Sequence, residues 1–272
     1  MIVHVSDPED TRLQVYRAVA DPELARRQGL FVAEGREVVR RLVDGGRHRL
    51  QSLLLTPATL RELDDATGRL DPGVPVYVSP PGVTEAITGF HIHRGCLALV
   101  ERPTPLDWRE VTGRVAHGPL VILERVGNPD NIGGVFRNAR ALGAAGVLLS
   151  PGCSDPFYRK AIRTSMAATL DVPFAVLAPW PEALVELRAR GTRVIALVSR
   201  DGVPLEERHE GVATAAGGVA VIAGHEGSGL SGEALVHADA RVTIPMSPGA
   251  DSLNVSVAVA IALYELGRAR RG

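Results

Sequence analysis

From Pro119 onward the chain alternates short, wholly apolar runs with longer helical stretches, and that rhythm admits few folds. Apolar runs at 121–123, 147–149, 194–198, 219–223 and 242–244 predict strands with no polar face. Helical patterns at 132–142, 157–167, 181–189, just after Ser231 and at 253–266 fill the gaps. Strands that lack a polar side must be covered on both faces, which is the condition of a parallel sheet layered between helices. The last helix carries Leu253, Val255, Val257, Val259, Ile261 and Leu263 around its circumference and is therefore expected to be buried. Ser252 stands at its mouth in a cap-like position, two residues before Asn254. Those two polar side chains mark either a capped core helix or a site.

The first hundred residues have a different texture. An amphipathic helix is predicted over 8–19, with a second short one opening at Asp21-Pro22. Strands at 50–55, 74–78 and 96–100 then alternate with helices at 36–43, 57–66 and 81–87, and Phe31-Val32 leads into the first of these. This is a small α/β/α domain over 1–104. The stretch from Glu101 to Gly118 carries Pro103 and Pro105 and little periodicity, which reads as a linker over 105–118, and 119–272 forms the second domain.

Bulk composition narrows the class. With 272 residues, 45% hydrophobic and 22% charged, the chain can bury an ample core. Cys96 and Cys153 are its only cysteines, so a disulfide framework is excluded, and no close Cys/His grouping suggests a metal. The N-terminus has no basic, apolar leader and no run reaches the length of a membrane span, so a soluble cytoplasmic protein is expected. A net charge of −1 argues mildly against a general nucleic-acid binder. Locally the balance differs: Arg36, Arg40, Arg41, Arg47, His48 and Arg49 crowd one helix and its turn, against Glu37 and Asp44. Such a cluster is either a solvated helix face or an RNA contact. Lys160 is the sole lysine, a compositional bias that makes arginine the default cation.

Three loops of the second domain carry the candidate chemistry. Glu124-Arg-Val-Gly-Asn-Pro-Asp-Asn131-Ile-Gly133-Gly134-Val-Phe-Arg137 joins a strand to a helix; Ala223-Gly224-His-Glu226-Gly227-Ser-Gly229-Leu230-Ser231 follows an apolar strand; Ile244-Pro-Met246-Ser-Pro-Gly-Ala-Asp-Ser252-Leu253-Asn254 precedes the last helix. Glycines at strand ends let backbone amides and carbonyls approach a ligand closely. A nicotinamide site would require G-x-G-x-x-G in the first strand–helix turn with an acid about twenty residues on, and Val126 to Asn131 lacks that spacing.

Together, and in this order, the three segments resemble the motifs of the SpoU (TrmH) family of S-adenosylmethionine-dependent RNA ribose 2′-O-methyltransferases, within the SPOUT superfamily. Upstream, Gly29 to Val39, with Glu34-Gly35-Arg36, and Gly95 to Pro103 are similar to the family's N-terminal RNA-binding domain. The resemblance implies a deep trefoil knot in the second domain, a homodimer with the first-motif helix and the last helix as candidate contact surfaces, and no metal requirement. It implies cofactor contacts at Ala223, Gly224, Glu226, Gly227, Ile244, Met246 and Leu253, and catalytic roles for Arg137, Asn131, Glu226, Ser252 and Asn254. Arg137 and Asn131 are expected to face one crevice, with Glu226 orienting Arg137 or a ligand; His225 is expected to be a turn residue. RNA contacts fall to Glu34, Arg36, Arg40, Arg41, Arg159 and Arg163. A full-length N-terminal domain favours ribosomal RNA, 23S in particular, over tRNA; a resistance-type ribosomal RNA enzyme and a catalytically silent RNA-binding relative are the alternatives.

Overall fold

A computed structural model describes residues 1–17, 26–89, 92, 95–208 and 217–271. The chain forms two compact units. The first comprises Met1–Thr104 together with Phe157–Ala167, and the second Pro105–Pro156 with Ala168–Gly272.

The first unit is built on a mixed sheet of β1 (Ile2–His4), β2 (Leu30–Glu34), β3 (Leu50–Leu55), β4 (Val76–Val78) and β5 (Cys96–Glu101), in the order β1-β4-β3-β5-β2. β1, β4 and β3 run parallel, while β5 is antiparallel to both β3 and β2. The opening helix is shorter than predicted. Asp10 accepts from the Arg12 amide to start a 3-10 turn at Thr11–Leu13, which passes into α1 (Gln14–Arg17). Its expected continuation to 19 and the helix from Asp21 lie outside the described residues. Next come α2 (Arg36–Gly45), set between positive-φ Gly35 and Gly46, then α3 (Pro57–Glu62), capped by Thr56, α4 (Asp64–Thr67) and α5 (Pro81–Thr88). Leu13, Tyr16, Val32, Leu54 and Leu97 are among the core residues, where the Tyr16 hydroxyl meets Ser52 Oγ at 2.8 Å.

Among the described residues the second unit holds seven parallel strands: β6 (Leu120–Leu123), β7 (Gly146–Leu149), β8 (Phe174–Val176), β9 (Arg193–Leu197), β10 (Val203–Pro204), β11 (Val219–Ala223) and β12 (Ala240–Thr243). Their order is β10-β12-β9-β11-β6-β7-β8. β8 and β10 are additional to the five expected strands, and β10, at two residues, is too short to display a pattern. The segment 105–118 is not a linker. Asp107 and Glu110 form a reciprocal capping box that starts α6 (Trp108–Thr112), whose Trp108 and Val111 are buried in the core of this unit.

The predicted helix over 157–167 belongs to the first unit rather than the second. As α8 (Arg159–Thr164) it follows Phe157, which stacks on Phe31 with ring centroids 4.7 Å apart, and Arg159 and Arg163 reach the buried Glu34 carboxylate. The remaining helices are α7 (Pro129–Ala141), α9 (Ala168–Asp171), α10 (Glu182–Ala189), α11 (Gly232–Val236) and α12 (Val255–Arg271). α12 packs on α7 and on β11. It is not buried all round: Val259, Ala262 and Leu263 are inside, but Val257 is 45% and Tyr264 51% exposed. No helix among the described residues is long and apolar enough to cross a membrane.

Candidate active site

A cleft of about 560 Å³ opens at the C-terminal ends of the central strands of the second unit. Parallel α/β sheets present loop amides and variable side chains there. Ala223, Gly224, Glu226 and Gly227 line it from the loop after β11, and Ile244, Met246, Ser252, Leu253 and Asn254 from the segment after β12. All seven residues expected to contact a cofactor therefore share one cavity. Leu197, Val198 and Ser199, at the end of β9, line it too, and sequence reading did not nominate them. Their signal was positional, since β9 ends between β11 and β12 in the sheet.

The loop after β11 is folded tightly on itself. A Cβ on Gly224 would lie 2.3 Å from the carbonyl carbon of Gly229, so only glycine lets the two ends close. The Gly229 amide donates to the His225 carbonyl at 2.9 Å. His225 Nδ1 accepts from the amides of Gly227 and Ser228 at 3.0 and 3.3 Å. His225 is thus a turn residue that pins the turn with its side chain. Below it, the Glu124 carboxylate is 1% exposed and takes three donors: Trp180 Nε1 at 3.0 Å, the Ser231 amide at 2.8 Å and Ser231 Oγ at 2.6 Å. Glu124, absent from the predicted set, anchors the far end of the same loop.

Hydrogen bonds connect the three segments. Asn131, buried in the first turn of α7, donates from Nδ2 to Glu226 Oε1 at 2.6 Å and accepts at Oδ1 from Asn254 Nδ2 at 2.8 Å. Asn254 Oδ1 in turn accepts from the amide and hydroxyl of Ser256 at 2.9 and 2.7 Å. Asn254, not Ser252, therefore caps α12, because the helix begins at Val255. Ser252 and Asn254 both precede the first helical residue, which frees them from the angular separation that a regular helix would impose.

Arg137 departs from expectation. It is exposed on α7, makes no hydrogen bond or ion pair among the described residues and is not part of the cleft lining. Six residues along a helix amount to about 600°, so Arg137 points roughly 120° away from Asn131. Glu226 is consequently engaged by Asn131 and not by Arg137.

Several nominated RNA contacts are committed within the first unit. Glu34 is 1% exposed and covered by Arg159 and Arg163, so it serves as an internal anchor and not as an RNA contact. Arg36 pairs with Glu62 and Arg40 with Asp65, the latter at 2.5 Å, and the Arg40 contact holds the Asp65 carboxyl below its usual range. The helix α2 is less bare of counter-charge than its own sequence implies. Arg41 also has a partner. Among the described residues no group of three or more His, Cys, Asp or Glu side chains could hold a metal.

Known proteins share this plan. Residues 118–264 match the SpoU rRNA Methylase family. A protein of Mycobacterium tuberculosis described as an uncharacterised tRNA/rRNA methyltransferase is 38% identical over 270 residues, covering 97% of this chain and 91% of that protein. The 23S rRNA (guanosine(2553)-2'-O)-methyltransferase of Bacillus subtilis is 27% identical over 81% of this chain and 86% of its own length. Among solved structures, the AdoMet-bound rRNA methyltransferase from Sinorhizobium meliloti superposes with a TM-score of 0.80 at 25% identity, covering 98% of each chain.

Proposed function

This chain belongs to the SpoU rRNA methylase family, and from that premise we propose that it methylates a ribose 2′-hydroxyl of ribosomal RNA, 23S in particular, with S-adenosylmethionine as donor. The observation that carries the proposal is the cleft lined by the segments after β11 and β12, whose Glu226 and Asn254 are joined through Asn131 of α7.

The cleft fits the donor. Its volume lies in the range of small-molecule sites. Ile244, Met246 and Leu253 offer an apolar wall for the adenine ring, and the tight glycine loop from Gly224 to Gly229 lets the backbone come close to it. The donor supplies a methyl group already activated on a sulfonium, so no metal is needed. The protein's tasks are to hold the ribose oxygen in line with that methyl and to handle the hydroxyl proton. Positioning alone can supply up to about 7–11 kcal/mol of barrier lowering.

Arg137 is assigned to the ribose and its neighbouring phosphate. A guanidinium with a pKa above about 12 is a poor base, so its part is to grip the phosphate and stabilise the oxygen as it loses its proton. Since Arg137 lies outside the cleft lining of its own chain, we assign it to the cleft of a second copy in a homodimer. The exposed Val257 and Tyr264 of α12 supply apolar surface for that contact. Arg137→Ala is expected to keep donor binding by calorimetry while losing tritiated methyl transfer to protein-free ribosomal RNA. Mixed dimers of Arg137→Ala and Asn254→Ala chains should recover part of the activity, because one composite site is then intact. Wild-type turnover of the single variant removes Arg137 from the mechanism, and failure of complementation removes the shared site.

The first unit is assigned to RNA recognition, with Arg36 and Arg40 exchanging carboxylate partners for phosphates beside Arg41. The placement of β12 between β9 and β10, with α12 packed on α7 and β11, supports the knotted threading of the family. With no spanning helix among its described residues and RNA as substrate, the protein is assigned to the cytoplasm. Mapping the labelled ribose in total RNA from a strain lacking the enzyme distinguishes ribosomal RNA from tRNA.

A further inference from the structure

The residue after Glu124 holds a backbone conformation that arginine rarely adopts. Arg125 has φ of +51°, in the left-handed region that glycine enters freely and a Cβ-bearing residue enters at a cost. Its surroundings enforce the turn. The Glu124 amide donates to the Ala223 carbonyl at 2.9 Å, the Arg125 amide to the buried Ser150 hydroxyl at 2.9 Å, and the Ser154 amide to the Val126 carbonyl at 2.9 Å. Glu124 and Val126 are both buried, so residue 125 is the point at which the chain must face outward.

What it presents there is a free cation. The Arg125 side chain is exposed and passes over Gly152, where an added Cβ would sit 3.5 Å from Arg125 Cγ. Its guanidinium makes no hydrogen bond or ion pair among the described residues. Several arginines of this unit are instead paired: Arg109 with Glu186, Arg140 with Asp171 and Arg188 with Asp239. The adjacent Glu124 carboxylate offers no neutralisation, since it is turned inward onto Trp180 and Ser231. Arg125 therefore stands at the C-terminal rim of the parallel sheet, one residue from the anchor of the cleft loop and six before Asn131. It does not line the cleft itself.

We propose that Arg125 is a substrate-binding residue that grips a phosphodiester of the RNA beside the methylated nucleotide. The inference rests on the RNA methyltransferase reading above. An exposed, unpaired guanidinium on a backbone fixed by buried hydrogen bonds is pre-organised for an anionic oxygen pair. Its position outside the cleft assigns it to the RNA and not to the carboxylate of the methyl donor.

Arg125→Gly separates this role from folding, because glycine removes the cation and relieves the backbone at once. In the full-length protein, Arg125→Gly is expected to melt at or above the wild-type temperature and to bind S-adenosylmethionine equally in calorimetry. Its KM for protein-free ribosomal RNA should rise about tenfold, and the slope of log affinity against log salt should flatten by roughly 0.7–0.9, the loss of one phosphate contact. Arg125→Lys should restore the salt slope with a partial recovery of KM. An active, folded Arg125→Gly enzyme with unchanged RNA KM and salt slope overturns the assignment. Weakened donor binding with an unchanged RNA slope overturns it as well, moving Arg125 to the donor. If the wild-type chain itself transfers no methyl to RNA, the enclosing reading fails and the role of Arg125 fails with it.

Discussion

Asn131 has one planar amide with a donor end and an acceptor end, and the second unit uses both, one toward Glu226 and one from Asn254. No other residue type of that size satisfies both ends. Asn131→Asp would replace the amide donor by a second carboxylate oxygen 2.6 Å from Glu226, so methyl transfer is expected to fall about 10²–10³-fold. Single-turnover kinetics at saturating donor would check it. Glu124 is the complementary case, a buried anion with three donors. Glu124→Gln retains the shape but replaces one acceptor by an N–H facing a donor, which should cost about 1–3 kcal/mol and weaken donor binding before it affects the chemical step. A donor Kd raised several-fold at near-normal kcat is the expected signature. Equal loss in both would instead place Glu124 in the reaction.

At the scale of elements, the contact between α7 and α12 depends on a glycine. A Cβ added at Gly134 would lie 2.8 Å from Cβ and Oγ of Ser256, and a Cβ cannot swing aside as the end of a long side chain can. Gly134→Ala gains about 1 kcal/mol of helix propensity, yet overpacking of about 1–3 kcal/mol should outweigh it. A lowered melting temperature is expected, and a raised one would show that the helices separate freely. The same contact carries Asn138, which donates to the Ser256 carbonyl at 2.8 Å, so distortion at Gly134 should also disturb Asn254 and the cleft. α6 teaches a different lesson about elements. Its five residues are too few for a period to be visible, and only the Asp107/Glu110 capping pair betrays a helix there.

For the whole molecule, buried ionisable groups set the alkaline limit of stability. Burial pushes the Cys96 thiol from 9.0 up to about 12, and burial likewise raises Tyr16 above its usual value despite the Ser52 contact. The unfolded chain therefore loses these protons first, and stability present below about pH 9 should fall as pH rises toward 12. The slope for Cys96 alone approaches about 1.4 kcal/mol per pH unit. Urea midpoints measured at pH 8 and pH 10 should differ more for wild type than for Cys96→Ala. Equal differences would mean that the thiol ionises freely in the folded state. Thiol labelling near pH 8 should accordingly be slow until the protein unfolds.

The sequence by itself determined five strands of the second unit, their parallel direction and the loops that bear the cleft, because wholly apolar runs between helices have no other economical burial. Through its resemblance to the family it also named the residues of the loops after β11 and β12 that share the cleft, but not Leu197, Val198 and Ser199 at the end of β9. Tertiary structure alone decided which side chains meet. Asn131 links Glu226 to Asn254 across more than ninety residues of chain, and no local pattern encodes that. Arg137 faces away from Asn131 because a helix turns about 100° per residue regardless of the role a motif suggests. Glu34, charged and apparently available in sequence, is enclosed by two arginines from residue 159 onward, a pairing that exists only once α8 packs against β2. Local chemistry proposes partners; three-dimensional closure, with the desolvation it imposes, selects among them.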